Sequence, residues 1–239
     1  MRVLDFAGGV AALMNPAFGR KLNHVTGAFL SSGVQASELD ELEATFNGRG
    51  LRLEFDLCPH VTPGALSLLT GRGYQLSGFK NTYARDLREL DDGDTFPGIE
   101  IVQTGDAAQF TDASARGFGG HTALMDTALL ETLARLALAR PDSVQFLACV
   151  DGELAGSGGV CFVETAWGLA AHLYIASTLS EFRGRGVQGA LVQERLRFAR
   201  QRGAVLASLT ARPLNVSARN AERAGLRLAH TKVSLTQGG

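Results

Sequence analysis

The segment "FRGRGVQGAL", Phe182 to Leu191, sets Gly184, Gly186 and Gly189 between an apolar run and a long amphipathic stretch. Glycines in this position let a chain leave a strand, turn through backbone conformations that other residues avoid, and open a helix at once. A chain built around such a strand–loop–helix element is expected to be an α/β protein. The same element constrains function. A helix start leaves four N–H groups without intrahelical partners and carries about half a positive charge, so it receives anions. Arg183 and Arg185 add two cationic side chains there. The competing reading, an ordinary left-handed turn with solvated arginines, stays open on the loop alone.

The surroundings read clearly in the second half. "IEIVQTGD" (Ile99 to Asp106) predicts a strand running into a helix, with Asp106 as N-cap and the helix continuing to about Gly117. "GFGGH" breaks the chain, and Leu129, Leu130, Leu133 and Leu136 mark a second helix that Pro141 stops. "VQFLACV" meets a turn at Asp151-Gly152, "ELAGSGGVCFVE" returns, and "LAAHLYIAST" (Leu169 to Thr178) feeds the glycine loop. The helix after the loop ends at Gly203. A strand "AVLASLTA", a short helix over about Asn215 to Ala224 and a final strand from Leu226 follow. The order is β-α-α-β-β-β-loop-α-β-α-β, with antiparallel strands in its middle.

The first half carries a fainter copy of the end of this pattern. Gly33-Val34-Gln35 parallels Gly186-Val187-Gln188, Gly50 parallels Gly203, and Gly73 parallels Gly225. The offsets, 153, 153 and 152 residues, are nearly constant and suggest an internal duplication. The acidic stretch "RELDDGDTFPG" lacks periodicity and reads as a linker. The expected organisation is an N-terminal domain over 1–90, a linker over 91–98 and a C-terminal domain over 99–239.

Composition narrows the partners. Twenty-three basic residues against 24 acidic ones give a formal net charge of -1, which argues against nucleic acid. No apolar stretch is long enough to cross a membrane, and the first residues do not read as a signal peptide. The expectation is a cytoplasmic monomer or homodimer. Cys58, Cys149 and Cys161 are widely spaced and form no CxxC pair. They are read as core residues, with no disulfide framework and no metal site.

Gly184, Gly186 and Gly189 also spell the dinucleotide fingerprint G-x-G-x-x-G, but that fold needs a βαβαβ continuation and an acid at the tip of the next strand. The strand "AVLASLTA" has no acid, and Arg212 would suit only a 2′-phosphate. No GxxxxGK followed by Ser or Thr exists, which removes the ATP-type loop.

The remaining combination, "LYIASTLSEFRGRGVQGAL", then helix, strand and "NVSARNAERAGL", resembles the GNAT family of acetyl-CoA-dependent N-acetyltransferases. The family's pyrophosphate signature, Arg/Gln-x-x-Gly-x-Gly/Ala, falls on Arg183-Gly184-Arg185-Gly186-Val187-Gln188, with Gln188 departing from the usual Gly or Ala. The likeness spans about Gly98 to Leu235, and the N-terminal copy, which lacks the arginine, resembles a degenerate GNAT half in a tandem arrangement. It implies a mixed, largely antiparallel central sheet flanked by helices, with a partial GNAT-like unit before it.

The resemblance also implies roles. The pyrophosphate of acetyl-CoA would lie on the N–H groups from Gly184 to Gly189, and the pantetheine arm would pair with a splayed strand edge at Ala176, Ser177 and Thr178. Ser217 and Asn220 share a helix face and match positions that contact the coenzyme; capping or solvation is the alternative. Acetyl transfer needs a base for the amine, donors for the thioester oxygen and an acid for the thiolate. The family's usual Tyr acid falls on Ala221. His172 and Tyr174 alternate on one face of the strand and are the acid/base candidates, His121 could line an acceptor site, and Glu164 reads as solvated. The function implied is acetylation of a primary amine on a small molecule or peptide by direct attack in a ternary complex. A non-catalytic acyl-CoA sensor is the rival.

Overall fold

A computed structural model describes residues 2–31, 33, 35–91, 93, 95–119 and 127–238 of the chain. The chain divides into two compact units, one of residues 1–81 with 230–239 and one of residues 82–229. The first unit opens with an antiparallel hairpin, β1 (Arg2–Phe6) and β2 (Gly9–Leu13), followed by β3 (His24–Thr26). Helix α1 (Ala36–Asn47), strand β4 (Glu54–Leu57), helix α2 (Pro63–Gly71) and the start of β5 (Tyr74–Asp86) complete its N-terminal part. Strand β4 runs parallel to β3 and antiparallel to the last strand of the chain, β11 (Arg227–Gln237). Burying Phe29, Leu39, Phe46, Phe55 and Leu69 together gives this unit its own core.

One face of that first sheet carries charge instead. Asp56 on β4 is buried and accepts hydrogen bonds from Arg20 Nη2 at 2.8 Å, from Ser234 Oγ at 2.6 Å and from Lys80 Nζ. Arg20 also pairs with Glu54 at 2.8 Å. Burial alone would push the Asp56 carboxyl up, but the bonds from Lys80 and Ser234 outweigh it and hold the group below its ordinary value. His24, 3.7 Å away, is pulled down by its own burial and stays neutral.

The second unit holds the glycine loop. Its strands are β6 (Ile99–Thr104), β7 (Ser143–Val150), β8 (Glu153–Thr165), β9 (Gly168–Thr178) and β10 (Leu206–Ala211), in the spatial order β10-β9-β8-β7-β6. All neighbours are antiparallel except β9 and β10, which are parallel. Helices α3 (Ala107–Gly119) and α4 (Thr127–Leu138) follow β6, α5 (Val187–Gln201) follows the loop, and α6 (Val216–Arg223) follows β10. Asp106 caps α3 through its Oδ1, which accepts from the N–H groups of Ala108 and Gln109. The β7–β8 hairpin turns at Asp151 and Gly152, both with positive φ as a two-residue type I′ turn requires. Apolar residues of β7 to β10, α5 and α6 form one core around Phe146, Leu173, Leu191 and Leu196.

The stretch expected as a linker is anchored to this unit. Leu87 and Leu90 are core residues, the Leu87 N–H donates to the Val205 carbonyl at 2.9 Å, and Arg200 donates to the Leu90 carbonyl. Further on, Phe96 packs against the start of α5, so the segment follows the helix from its C-terminal to its N-terminal end. Among the described residues no helix is long and apolar enough to cross a membrane, and no cluster of His, Cys, Asp and Glu could hold a metal. The cysteines are free; Cys161 is buried, whereas Cys58, just past the end of β4, and Cys149 are only half-buried.

The depressed Asp56 pKa has a direction in pH. A carboxylate favoured in the folded state stabilises above its unfolded pKa, and that contribution is lost as pH falls through the folded value. Asp56→Asn is expected to lower stability at neutral pH by about 3 kcal/mol, because Lys80 loses its counter-charge and Arg20 keeps only Glu54, and to flatten the fall on acidification. Thermal melts of both chains from neutral pH into the acid range check it.

Candidate active site

The loop ahead of α5 is open as an anion receptor. Gly184 and Gly186 have φ of 78° and 88°, and Gly186 is the N-cap of the helix. Among the described residues no side chain caps this end, and the first main-chain bond runs from the Ala190 N–H to the Gly186 carbonyl at 3.0 Å. The N–H groups of Val187, Gln188 and Gly189 therefore point out of the helix start without protein acceptors. Arg183 and Arg185 are exposed beside them; Arg183 Nη2 also donates to the Gly117 carbonyl at 3.4 Å.

Gly189 does a different job from the one its spacing suggests. A Cβ there would lie 2.7 Å from Cε1 and Cζ of Phe96, and one on Gly186 would lie 3.2 Å from the same ring. The ring fills the flank of the first helical turn and leaves the helix end clear. Phe96 was not legible as a site residue, since it sits in an acidic, aperiodic stretch.

Beside the loop, two parallel strands part. β9 and β10 pair from Ala170 with Leu206 to Leu173 with Leu209, and no further, although β9 continues to Thr178 and β10 to Ala211. At the same level the register with β8 shifts, from Gly159 opposite Tyr174 to Ser157 opposite Ser177. Two residues of β9, Ile175 and Ala176, thus face one of β8, and Ile175 takes a φ of 46°, rare for a β-branched side chain. The bulge turns β9 away from β10 and leaves main-chain groups on its β10 side without a strand partner.

The model of the Acetyltransferase (GNAT) family matches residues 109–225, which contain this loop and this parting of strands. Residues 109–225 belong to the GNAT family. Its fold is that of a GCN5-related N-acetyltransferase from Kribbella flavida, with a TM-score of 0.73 at 20% identity over 100% of this chain and 90% of that one. A second such protein, from Sphaerobacter thermophilus, gives 0.66 at 18% identity over 96% and 76% of the two chains. A tandem GNAT protein from the clavulanic acid biosynthesis pathway gives 0.66 at 14% over 89% and 74%. At these identities the likeness is one of fold. No curated protein matches the sequence significantly.

The GNAT frame locates each expected residue. Ala176 is half-exposed at the bulge, but Ser177 and Thr178 are buried. Ser177 Oγ donates to the Ala113 carbonyl of α3 at 3.3 Å, and Thr178 Oγ1 accepts from Gln188 Nε2 at 2.9 Å. These two positions can offer a ligand only main chain. Gln188 likewise folds its side chain back onto β9, which is why its departure from Gly or Ala leaves the helix end open. In α6 the cap is Asn215, whose side chain accepts from the Ala218 N–H; Ser217 is exposed and Asn220 half-buried on the same helix. Ala221 is fully buried in the core. Glu164 is exposed, and His121 lies outside the described residues.

His172 and Tyr174 share a face but reach opposite ways. His172 Nδ1 is 3.0 Å from Ser208 Oγ on β10, toward the parting strands. The Tyr174 ring crosses β8 over Gly159, and its hydroxyl bonds Ser143 Oγ on β7 at 2.5 Å. Burial pushes the Tyr174 phenol up, against a smaller opposing effect of Ser143. Strand alternation fixed the face and not the direction along it. A third group, Arg195 on α5, was missed, although its place among Val187, Leu191 and Phe198 sets a charge on an apolar stripe.

In the first unit the equivalent helix start is closed. The Gln35 N–H donates to Glu38 Oε2 at 2.9 Å, so a carboxylate of α1 itself occupies the end where an anion would bind.

The contact between Phe96 and Gly189 predicts a sign reversal. Alanine stabilises a helix interior over glycine by roughly 1 kcal/mol. Gly189→Ala should nonetheless lower or leave unchanged the melting temperature of the wild type, since the Phe96 ring must move, and should raise it in a Phe96→Ala background. Melts of the four chains measure the coupling.

Proposed function

We propose that the protein is an acetyl-CoA-dependent N-acetyltransferase that transfers the acetyl group to a primary amine by direct attack in a ternary complex. The single observation that carries the reading is the uncapped start of α5 beside the unpaired edge of β9. A diphosphate fits the first, because the N–H groups of Val187, Gln188 and Gly189 have no acceptor within the loop among the described residues and the exposed Arg183 and Arg185 lie in the same loop. An amide-bearing arm fits the second, because main-chain groups of β9 after Leu173 lack a strand partner on the β10 side. The coenzyme supplies an activated acetyl thioester. This chain supplies N–H donors at the bulge for the thioester oxygen and a group to take the proton of the amine, while the C–S bond breaks and coenzyme A leaves as a thiolate protonated from solvent.

His172 is the residue assigned to that proton. It lies on the last paired stretch of β9 and reaches toward β10, whereas the Tyr174 hydroxyl is engaged with Ser143. The acceptor is a small-molecule or peptide amine. The closed start of α1 supports a single coenzyme per chain, bound in the second unit.

One observation favours the sensor reading. Ala221, the position of the family's usual tyrosine acid, is a core residue with no polar atom to offer. Thiol release from acetyl-CoA across a panel of amines separates the two: the sensor binds coenzyme and turns over none of them. For the enzyme, acetyl-CoA is expected to raise the melting temperature while NAD(P) does not. His172→Ala is expected to lower kcat about a hundredfold, within the range of a lost general base, with KM for acetyl-CoA little changed. Equal kcat in that variant would remove His172 from the chemistry.

A further inference from the structure

Arg195 is 1% exposed and is the largest fully buried side chain among the described residues. A guanidinium in that position normally faces a carboxylate, since the desolvation of an unpaired charge is costly. Among the described residues none pairs with it. All its bonds go to main-chain carbonyls: Nε donates to Leu191 at 2.8 Å within α5, and Nη1 donates to Gly159 at 3.0 Å and to Tyr174 at 3.4 Å. Burial pulls the group down to about 9, which leaves it charged at neutral pH.

The two strand carbonyls are not arbitrary. Gly159 and Tyr174 are the last register pair of β8 and β9 before the shift, and Ile175, with its positive φ, comes next. The glycines of β8 make the room. A Cβ on Gly158 would stand 3.1 Å from Arg195 Cζ, and one on Gly159 would stand 3.1 Å from the Tyr174 ring. The charge, the glycine pair and the strained residue meet at the place where β9 leaves β10.

We infer that Arg195 is a positioning residue for acetyl transfer: by holding the Gly159 and Tyr174 carbonyls from within the core it fixes the β9 bulge, and through it the main-chain edge that receives the arm and thioester of the coenzyme. The inference rests on the functional reading above. It acts on the arm and not on the diphosphate, because none of the three bonds of Arg195 reaches the glycine loop. Loss of a charged hydrogen bond at the bulge should therefore cost affinity only for ligands that carry pantetheine.

The test compares two ligands on three chains by calorimetry. Coenzyme A has the diphosphate and the arm; ADP has the diphosphate alone. Arg195→Met keeps the stem and removes the charge, and Arg195→Lys keeps the charge without the two-carbonyl fork. The Met variant is expected to melt somewhat lower than the wild type, since two buried carbonyls lose their donor, to bind coenzyme A about tenfold more weakly and to bind ADP unchanged. The Lys variant should fall between. Unchanged coenzyme A affinity in Arg195→Met, or equal loss for both ligands, overturns the inference. If Arg195→Met does not fold, the same comparison on Arg195→Lys decides it, with a loss confined to coenzyme A in support and any other pattern against. A wild type that binds neither ligand would instead defeat the functional reading.

Discussion

The second unit is organised around a pairing that stops. β9 and β10 run in parallel for four residue pairs and then diverge, although both strands continue. Divergence costs hydrogen bonds, and a backbone does not give these up without something that holds it apart. Here the restraint is local and covalent in origin: one extra residue in β9 opposite β8, with Ile175 in a left-handed conformation that costs about 1–3 kcal/mol. Helices α3 and α5 both pack on β9, and Ile175 itself lies against the cluster of Phe110 and Ala113. The open edge and the open helix end are then consequences of the same turn of chain, since β9 leads directly into the glycine loop.

Glycine is used in this region less for turning than for admitting neighbours. At Gly117 a Cβ would meet Ser177 Oγ at 2.3 Å, at Gly156 the Ser177 carbonyl at 2.6 Å, and at Gly189 the Phe96 ring at 2.7 Å. Each missing side chain lets another element approach the same few residues of β9 and α5. Only Gly184 and Gly186 serve the loop by their positive φ. A motif that looks like one device in the sequence is two in the structure, a turn and a contact.

Much of the second unit was legible because its signals are local. Asp106, the Asp151-Gly152 turn and the apolar spacing of α4 each mark an element within a few residues of themselves. The hairpin of β1 and β2 was not, because five-residue strands around Gly8 and Gly9 carry too few alternations to stand out. The glycine loop could be placed by its glycines, whereas its wall could not: Phe96 comes from an aperiodic stretch and meets Gly189 only in three dimensions. The charge of Arg195 on an apolar stripe was visible, but its partners are carbonyls, which every residue has and no sequence pattern distinguishes. Ser177 and Thr178 read from the sequence as main-chain positions of β9; that their side chains are buried, Ser177 against α3 and Thr178 against Gln188, was not legible.

The division of the chain has a bearing on its biosynthesis. Residues 230–239 belong with residues 1–81, and β4 finds an antiparallel neighbour only in the segment around Val233 to Thr236. Within this chain the β4 edge is therefore made before the strand that covers it, with the whole second unit synthesised in between. During that interval the edge is a sticky surface, open to any passing β-strand. Translation rate and chaperone supply thus bear on this half of the protein more than on the half that carries the glycine loop.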